Sequence, residues 1–285
     1  MALDFTPNTI QQLPEICDFV PQYEKSRMEG HKFVINPVTG DVIAHMGKGF
    51  SPAGHRAFCS SVYKVVRDNH TPEQLEGMSV AFRSAHGGGW LRMDITLPNV
   101  TYDIVTNNGH KTKTGYRIIA LHGVDGTCGN LIYFGAIDFF CTNGMITGEY
   151  DMTKCKNTSN FTIGGLEKRL YDGYTDFSDR MARLNTWGKI NLAGLDVPSV
   201  LSKIIPSEKK AEKMFSLYKE ESHTRGENVF SLYSAFTNYA TYGDERNNFK
   251  IRNTGKDTRE VTLFKREQEV AKWVDSPTFK QLVVA

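Results

Sequence analysis

The chain has 285 residues, a hydrophobic fraction of 40 % and 34 basic residues against 32 acidic ones, for a net charge of +2. That length holds one large domain or two ordinary ones, and the apolar content excludes an intrinsically disordered chain. The near-neutral balance excludes a globally polybasic or polyacidic protein, so electrostatic recognition must come from local clustering.

The opening residues, Met1 to Phe5, show no basic region ahead of an apolar run, and no segment approaches the roughly 18 apolar residues of a membrane span. The five cysteines, Cys17, Cys59, Cys128, Cys141 and Cys155, are odd in number and form no Cys-x-x-Cys pair. The expectation is a cytoplasmic protein with reduced thiols and no membrane partner.

Taken in order, residues 1–30 read as an arm. Its apolar residues are scattered among Pro7, Pro14 and Pro21, which prevent a long helix and favour an extended segment packed on the body. His31 to Ala44 reads as a hairpin turning through Asn36 to Asp41. Ser51 and Pro52 predict a helix start, with Phe58, Val62, Val65 and Val66 forming its apolar stripe as far as about Arg67.

Strands dominate the region from Met78 to Tyr150. Leu91, Met93, Ile95 and Leu97 alternate with Trp90, Arg92, Asp94 and Thr96, which predicts a strand with one apolar and one polar face. His86-Gly87-Gly88-Gly89 is a turn leading into it. A second strand is expected from Val100 to Val105, beyond Pro98-Asn99. Asn107 to Gly115 reads as a long polar loop, Tyr116 to His122 as a strand, and Leu131 to Phe140 as a central strand buried on both faces. Consecutive strands with short connections predict an antiparallel meander.

Beyond Asn160 the period changes to that of helices. Leu166, Leu170, Tyr174, Phe177, Met181 and Leu184 predict a helix from Gly165 to Trp187. Further helices are expected over 198–205, 207–221 and 227–242, and a last one opens at Asp257 in a capping-box arrangement and runs to about Val274. The expected fold is α+β: an antiparallel meander sheet covered on one face by helices, with a mostly helical C-terminal half. The expected organisation is an arm at 1–30, a single domain at 31–255 (sheet about 78–150, helices about 160–242), and a C-terminal helix and tail at 256–285.

No catalytic motif emerges. His86 to Gly89 has the look of an oxyanion-hole turn, but the chain has no Gly-x-Ser-x-Gly elbow, so a tight turn is the simpler reading. Gly47-Lys48-Gly49 has the wrong spacing for a phosphate loop. The histidines and cysteines fall at no metal-ligand spacing, so neither metal nor cofactor is expected. Basic and aromatic residues do cluster. Arg83, Trp90 and Arg92 flank the glycine turn, while Lys111, Lys113, Tyr116 and Arg117 flank the next long connection. Exposed aromatics and cations on a sheet face bind single-stranded nucleic acid by stacking bases and following phosphates. In the competing structural reading, Trp90 packs under a helix and the lysines only keep a loop soluble.

Phe139 to Met145, an apolar run followed by Cys141, Thr142, Asn143 and Gly144, resembles a segment of a phage- and plasmid-encoded family, domain of unknown function 932. Gly87-Gly88-Gly89-Trp90 resembles that family's glycine turn before an aromatic strand. Ser234 to Tyr239 is similar to its Asn-Ala-(Val/Phe)-Thr-Glu-Tyr helix, with Ser234 in place of Asn and Asn238 in place of Glu. The resemblance spans about residues 32–255. It implies a mobile-element protein acting in a bacterial host cytoplasm and supplies no catalytic residues. With the basic-aromatic cluster it gives the functional expectation. That expectation is a phage-type protein binding or annealing single-stranded DNA in replication or recombination, as a homo-oligomer and without a cofactor. The alternative is a protein-protein interaction module, such as a phage-encoded inhibitor of a host enzyme or an assembly factor, using the aromatic helices around Phe215, Tyr218, Phe230, Tyr233 and Tyr239.

Overall fold

A computed structural model describes residues 3–5, 13–138, 144–146, 152–155, 162–174, 177–242 and 259–284. The fold is α+β, with antiparallel sheets and a helical C-terminal half. The chain forms two compact units. The first comprises Met1–Asn99, Arg117–Phe134 and Met152–Thr175; the second comprises Val100–Tyr116, Gly135–Asp151 and Asp176–Ala285. Boundaries drawn at residues 30 and 255 from composition do not coincide with this division.

In the first unit the arm adds a short strand, β1 (Leu3–Phe5), to β5 (Ser79–Ala85), pairing Leu3 with Phe82. The expected hairpin is β3 (His31–Ile35) and β4 (Val42–Gly47), and β2 (Gln22–Lys25) completes a separate three-stranded sheet in the order β2-β3-β4. Helix α1 (His55–Asp68) begins three residues later than Ser51-Pro52 suggests, with an extended Gly54 at its N-cap and no side-chain cap. The Thr-Pro start signal is used instead at α2 (Pro72–Leu75), where Thr71 and Gln74 form a capping box.

The main sheet takes up the meander in the order β1-β5-β6-β7-β8-β10, with β9 also on β8. Strand β6 is one element, Trp90–Val105, rather than two. Pro98 does not break it because the register with β5 ends at Ser79 opposite Thr96, so the missing N–H forfeits no bond on that side. Strand β7 (Lys111–Gly123) starts where a loop was expected, since Lys111 and Lys113 point outward while Thr112 and Thr114 are buried. Strand β8 spans Asn130–Asp138; β9 (Gly144–Ile146) pairs with its Gly135–Ile137 and β10 (Met152–Cys155) with its Asn130–Tyr133. Residues 139–143, which carry the family-like Cys141-Thr142-Asn143 segment, lie outside the described residues, as does Asp257.

The long amphipathic stripe from Gly165 to Trp187 is divided between α3 (Ile163–Tyr174), in the first unit, and α4 (Phe177–Trp187), in the second. The second unit continues with α5 (Val197–Ile204), α6 (Glu208–Arg225, capped by Ser207), α7 (Val229–Tyr242) and α8 (Arg259–Asp275). A further helix that periodicity did not reveal, α9 (Pro277–Val284), follows. Every residue of α7 from Val229 to Ala240 is buried, so this helix is the centre of the unit's core. Phe279 of α9 is fully buried, edge-on to Trp187 at 5.3 Å and tilted against Phe236 at 6.0 Å. Phe279→Ala is therefore expected to cost about 3–5 kcal/mol, read from the urea midpoint, with the loss of stability coming from the cavity left beneath α9. A cost under about 1 kcal/mol would show that α9 packs only loosely.

Candidate functional site

Antiparallel register puts Arg83 of β5 opposite Arg92 of β6 and Ala81 opposite Asp94. Residues directly opposite share a sheet face, so Arg83, Arg92 and Asp94 lie together. Arg92, two residues before Asp94 on the same face, donates from Nε to Oδ2 at 2.7 Å and from Nη2 to Oδ1 at 3.0 Å. Arg83 Nη1 donates to Oδ2 at 2.8 Å, and Arg117 Nη2 of β7 to Oδ1 at 2.9 Å. Burial alone would push the Asp94 carboxyl up, but the Arg92, Arg117 and Arg83 guanidiniums prevail and hold it well below the usual carboxylate range.

Three of the residues marked out by the sequence, Arg83, Arg92 and Arg117, thus meet at one carboxylate. The expectation of an open polar face is corrected. Trp90 is 3 % exposed and Tyr116 1 %, so neither ring presents a stacking surface. Arg92 is also buried, and only Arg83 keeps a sizeable part of its side chain, 31 %, in solvent. The alternation along Trp90–Leu97 is real, but both faces are covered there. The face accepts burial because its charges are paired in bidentate and shared hydrogen bonds. Lys111 and Lys113 belong to the second unit and remain exposed, with Lys111 paired at 2.7 Å to Asp103, itself exposed, an interaction of small energy.

Sequence spacing missed a second cluster in the first unit, around the glycine turn. His86 is the one non-glycine residue with positive φ (52°) among the described residues, and Gly87 and Gly88 follow at 61° and 92°. Such a conformation in a side-chain-bearing residue is held only when its surroundings fix it. His86 Nδ1 lies 2.8 Å from Asp125 Oδ2; because a carboxylate only accepts, Nδ1 carries the proton. Asp125 in turn accepts from Thr127 N at 3.0 Å and Thr127 Oγ1 at 2.6 Å. Asn36 Nδ2 donates to the Gly87 carbonyl at 2.7 Å, and His55 Nε2 to that of Gly88 at 2.7 Å. Apart from Thr127, the partners stand 33 to 51 residues apart, so no local motif could have announced them.

Chemically, the turn offers an imidazole oriented by a carboxylate; the Thr127 hydroxyl, 3.4 Å from His86 Nδ1, gives its proton to Asp125. Burial pushes the Cys128 thiol up to about 12, and the adjacent Cys17 thiol together with burial keeps Cys59 well above its ordinary value. Neither is a thiolate at neutral pH. Among the described residues no group of three or more His, Cys, Asp or Glu side chains is arranged to hold a metal ion.

In the second unit, the two positions at which Ser234–Tyr239 departs from the resembling motif are both interior. Ser234 accepts a hydrogen bond from Arg225 Nη1, and Asn238 Nδ2 donates to Glu221 Oε1 at 3.1 Å. Arg225 is fully buried, 3.5 Å from Glu221 and over the Phe230 ring. These side chains pin α6 to α7. The aromatic interaction surface expected on these helices is corrected as well, because Tyr218, Phe230, Tyr233 and Tyr239 are buried.

No protein-family model, curated protein or solved structure matches the chain.

Two substitutions test the construction of these clusters. Asp94→Asn removes the carboxylate that the three arginines share and is expected to lower stability by about 3–5 kcal/mol in urea unfolding; a change under about 1 kcal/mol would mean that solvent screens the cluster. At Gly88 an added Cβ would stand 2.6 Å from the Phe19 ring in a backbone with φ +92°. Gly88→Ala is expected to cost roughly 1–3 kcal/mol, measured in the same way.

Proposed function

We propose that the chain binds the phosphate backbone of single-stranded DNA, as a phage-type protein serving replication or recombination. The observation supporting this reading is the gathering of Arg83, Arg92 and Arg117 around Asp94, with Arg83 partly open to solvent. A guanidinium held in one geometry by a buried carboxylate loses little further freedom when a phosphate oxygen docks on it. With Trp90 and Tyr116 buried, recognition runs through cations and carries no base-stacking contribution from those rings. In the second unit Lys111 and Lys113 point outward and supply cations of their own.

A second reading, an interaction module, is favoured by a different observation. Val20, Tyr23, Met28, Val38 and Val42 are large apolar residues left exposed, and all fall in or beside the three-stranded sheet. Exposed apolar residues grouped in this way mark protein-binding surfaces.

Fluorescence anisotropy with labelled single-stranded and duplex oligonucleotides, at about 50 and 200 mM salt, separates the two. Binding of single strands is expected to weaken steeply over that range. Arg83→Ala is expected to lower the slope of log affinity against log salt by about 0.7, the share of one single-strand phosphate contact. An unchanged slope would remove the arginine cluster from the interface. Absence of binding at the lower salt would overturn the nucleic-acid reading and leave the exposed apolar residues as the functional surface.

A further inference from the structure

The buried histidine pair of the first unit has a hydrogen-bond pattern that fixes where its protons sit. His55 opens α1 and His122 lies in β7, and their Nδ1 atoms are 2.6 Å apart. The Gly88 carbonyl can only accept, so His55 Nε2 carries a proton, and a neutral His55 then presents a bare Nδ1. His122 Nδ1 must donate to it, which leaves His122 Nε2 bare. That atom is buried with no hydrogen-bond partner. A bare ring nitrogen tolerates this, whereas an N–H there would be a stranded donor.

We propose that the His55–His122 contact is an acid-sensitive latch tying the first turn of α1, which holds the glycine turn through His55 Nε2, to β7. A further proton cannot enter between the two Nδ1 atoms, because the space already holds one. Placed on His122 Nε2, it would be charged, buried and unpartnered, with the Phe58 ring stacked at 4.7 Å. Burial disfavours charge on His55 too, offset in part by its bond to the Gly88 carbonyl. His55 sits at the positive end of α1, whose first turn contains no acidic residue, and the Phe19 ring lies 5.8 Å away. The other ionisable groups facing the pair are Asp125, committed to His86 and Thr127, and Cys59 one turn along α1; Arg56 is committed to Asp18 and the Leu13 carbonyl. Among these, only Asp125 favours a charged His55.

Burial pushes both imidazoles down from their ordinary value, and the neighbouring ring adds to this for His122. The closed latch therefore excludes protons that the opened state takes up near pH 6.5. Its stability is complete above that pH and declines as the pH falls. Acid is expected to part His55 from His122 and to loosen α1, with the glycine turn it holds, from β7.

The test is amide hydrogen exchange at Phe58, Gly89 and Val124, whose N–H groups bond Gly54, His86 and Gly89 in the closed state, corrected for intrinsic rates between pH 7.5 and 5.5. In the native protein the opening equilibrium should rise by about tenfold per pH unit below about 6.5 for each excluded ring. His122→Asn keeps an N–H donor near Nδ1 but does not titrate, so the dependence should fall to that of one ring. Equal dependence in the two proteins, or pH-independent protection in the native one, would overturn the latch. Imidazole nitrogen shifts of the native protein give a readout that needs no variant. Both rings should titrate below the ordinary imidazole range in the closed state, and titration of either near 6.5 with the turn still protected would also overturn it.

Discussion

The first unit is governed by the need to keep one carboxylate ionised away from water. Moving Asp94 out of solvent is unfavourable by several kcal/mol, and only partners close enough to form direct hydrogen bonds compensate. Those partners come from three strands: Arg83 on β5, Arg92 beside Asp94 on β6, and Arg117 on β7. The cluster therefore acts on register as well as energy. A slip of one residue in any of these strands would turn its arginine to the opposite face and strand the charge.

The second unit solves a similar problem in helical form. Helix α7 is buried on all sides, yet it carries Ser231, Ser234, Thr237 and Asn238. Each finds a partner: Ser231 with Asn228, Ser234 with Arg225, Thr237 with the Ser234 carbonyl, Asn238 with Glu221. Asn228 also caps α7, accepting from Ser231 N at 2.9 Å, and donates to Asn107 at 2.9 Å. Polar side chains that look like surface or chemistry in the sequence are here the joints of a core.

Much of the fold was legible because local rules and packing agreed. The hairpin over 31–44, the alternation along Trp90–Leu97 and the helices from 197 to 242 all express patterns set by neighbours in the chain. What escaped was decided by distant partners. Alternation assigns Trp90 and Arg92 to one face but says nothing of what covers that face. Pro98 looks like a break until the length of β5 is known. Lys111 to Thr114 reads as loop because its polar composition hides two buried threonines. The arginine cluster was half visible, since its members were singled out as cations, but the carboxylate that unites them was read only as part of a polar face. His55, His86, His122 and Asp125 could not be linked at all without the fold.

Pro98 has a consequence for the chain's behaviour in company. Beyond Thr96, β6 runs on without β5 beside it among the described residues, and an uncovered strand flank is a template on which other chains can align. Here the template is spoiled at both ends. Pro98 has no donor to offer, Asn99 turns its amide to the Glu73 and Glu76 carbonyls at 3.0 Å, and the Val105 N–H is already given to Asn185 at 2.9 Å. An incoming strand would meet an interrupted ladder, so the same proline that obscures β6 in the sequence guards it against aggregation.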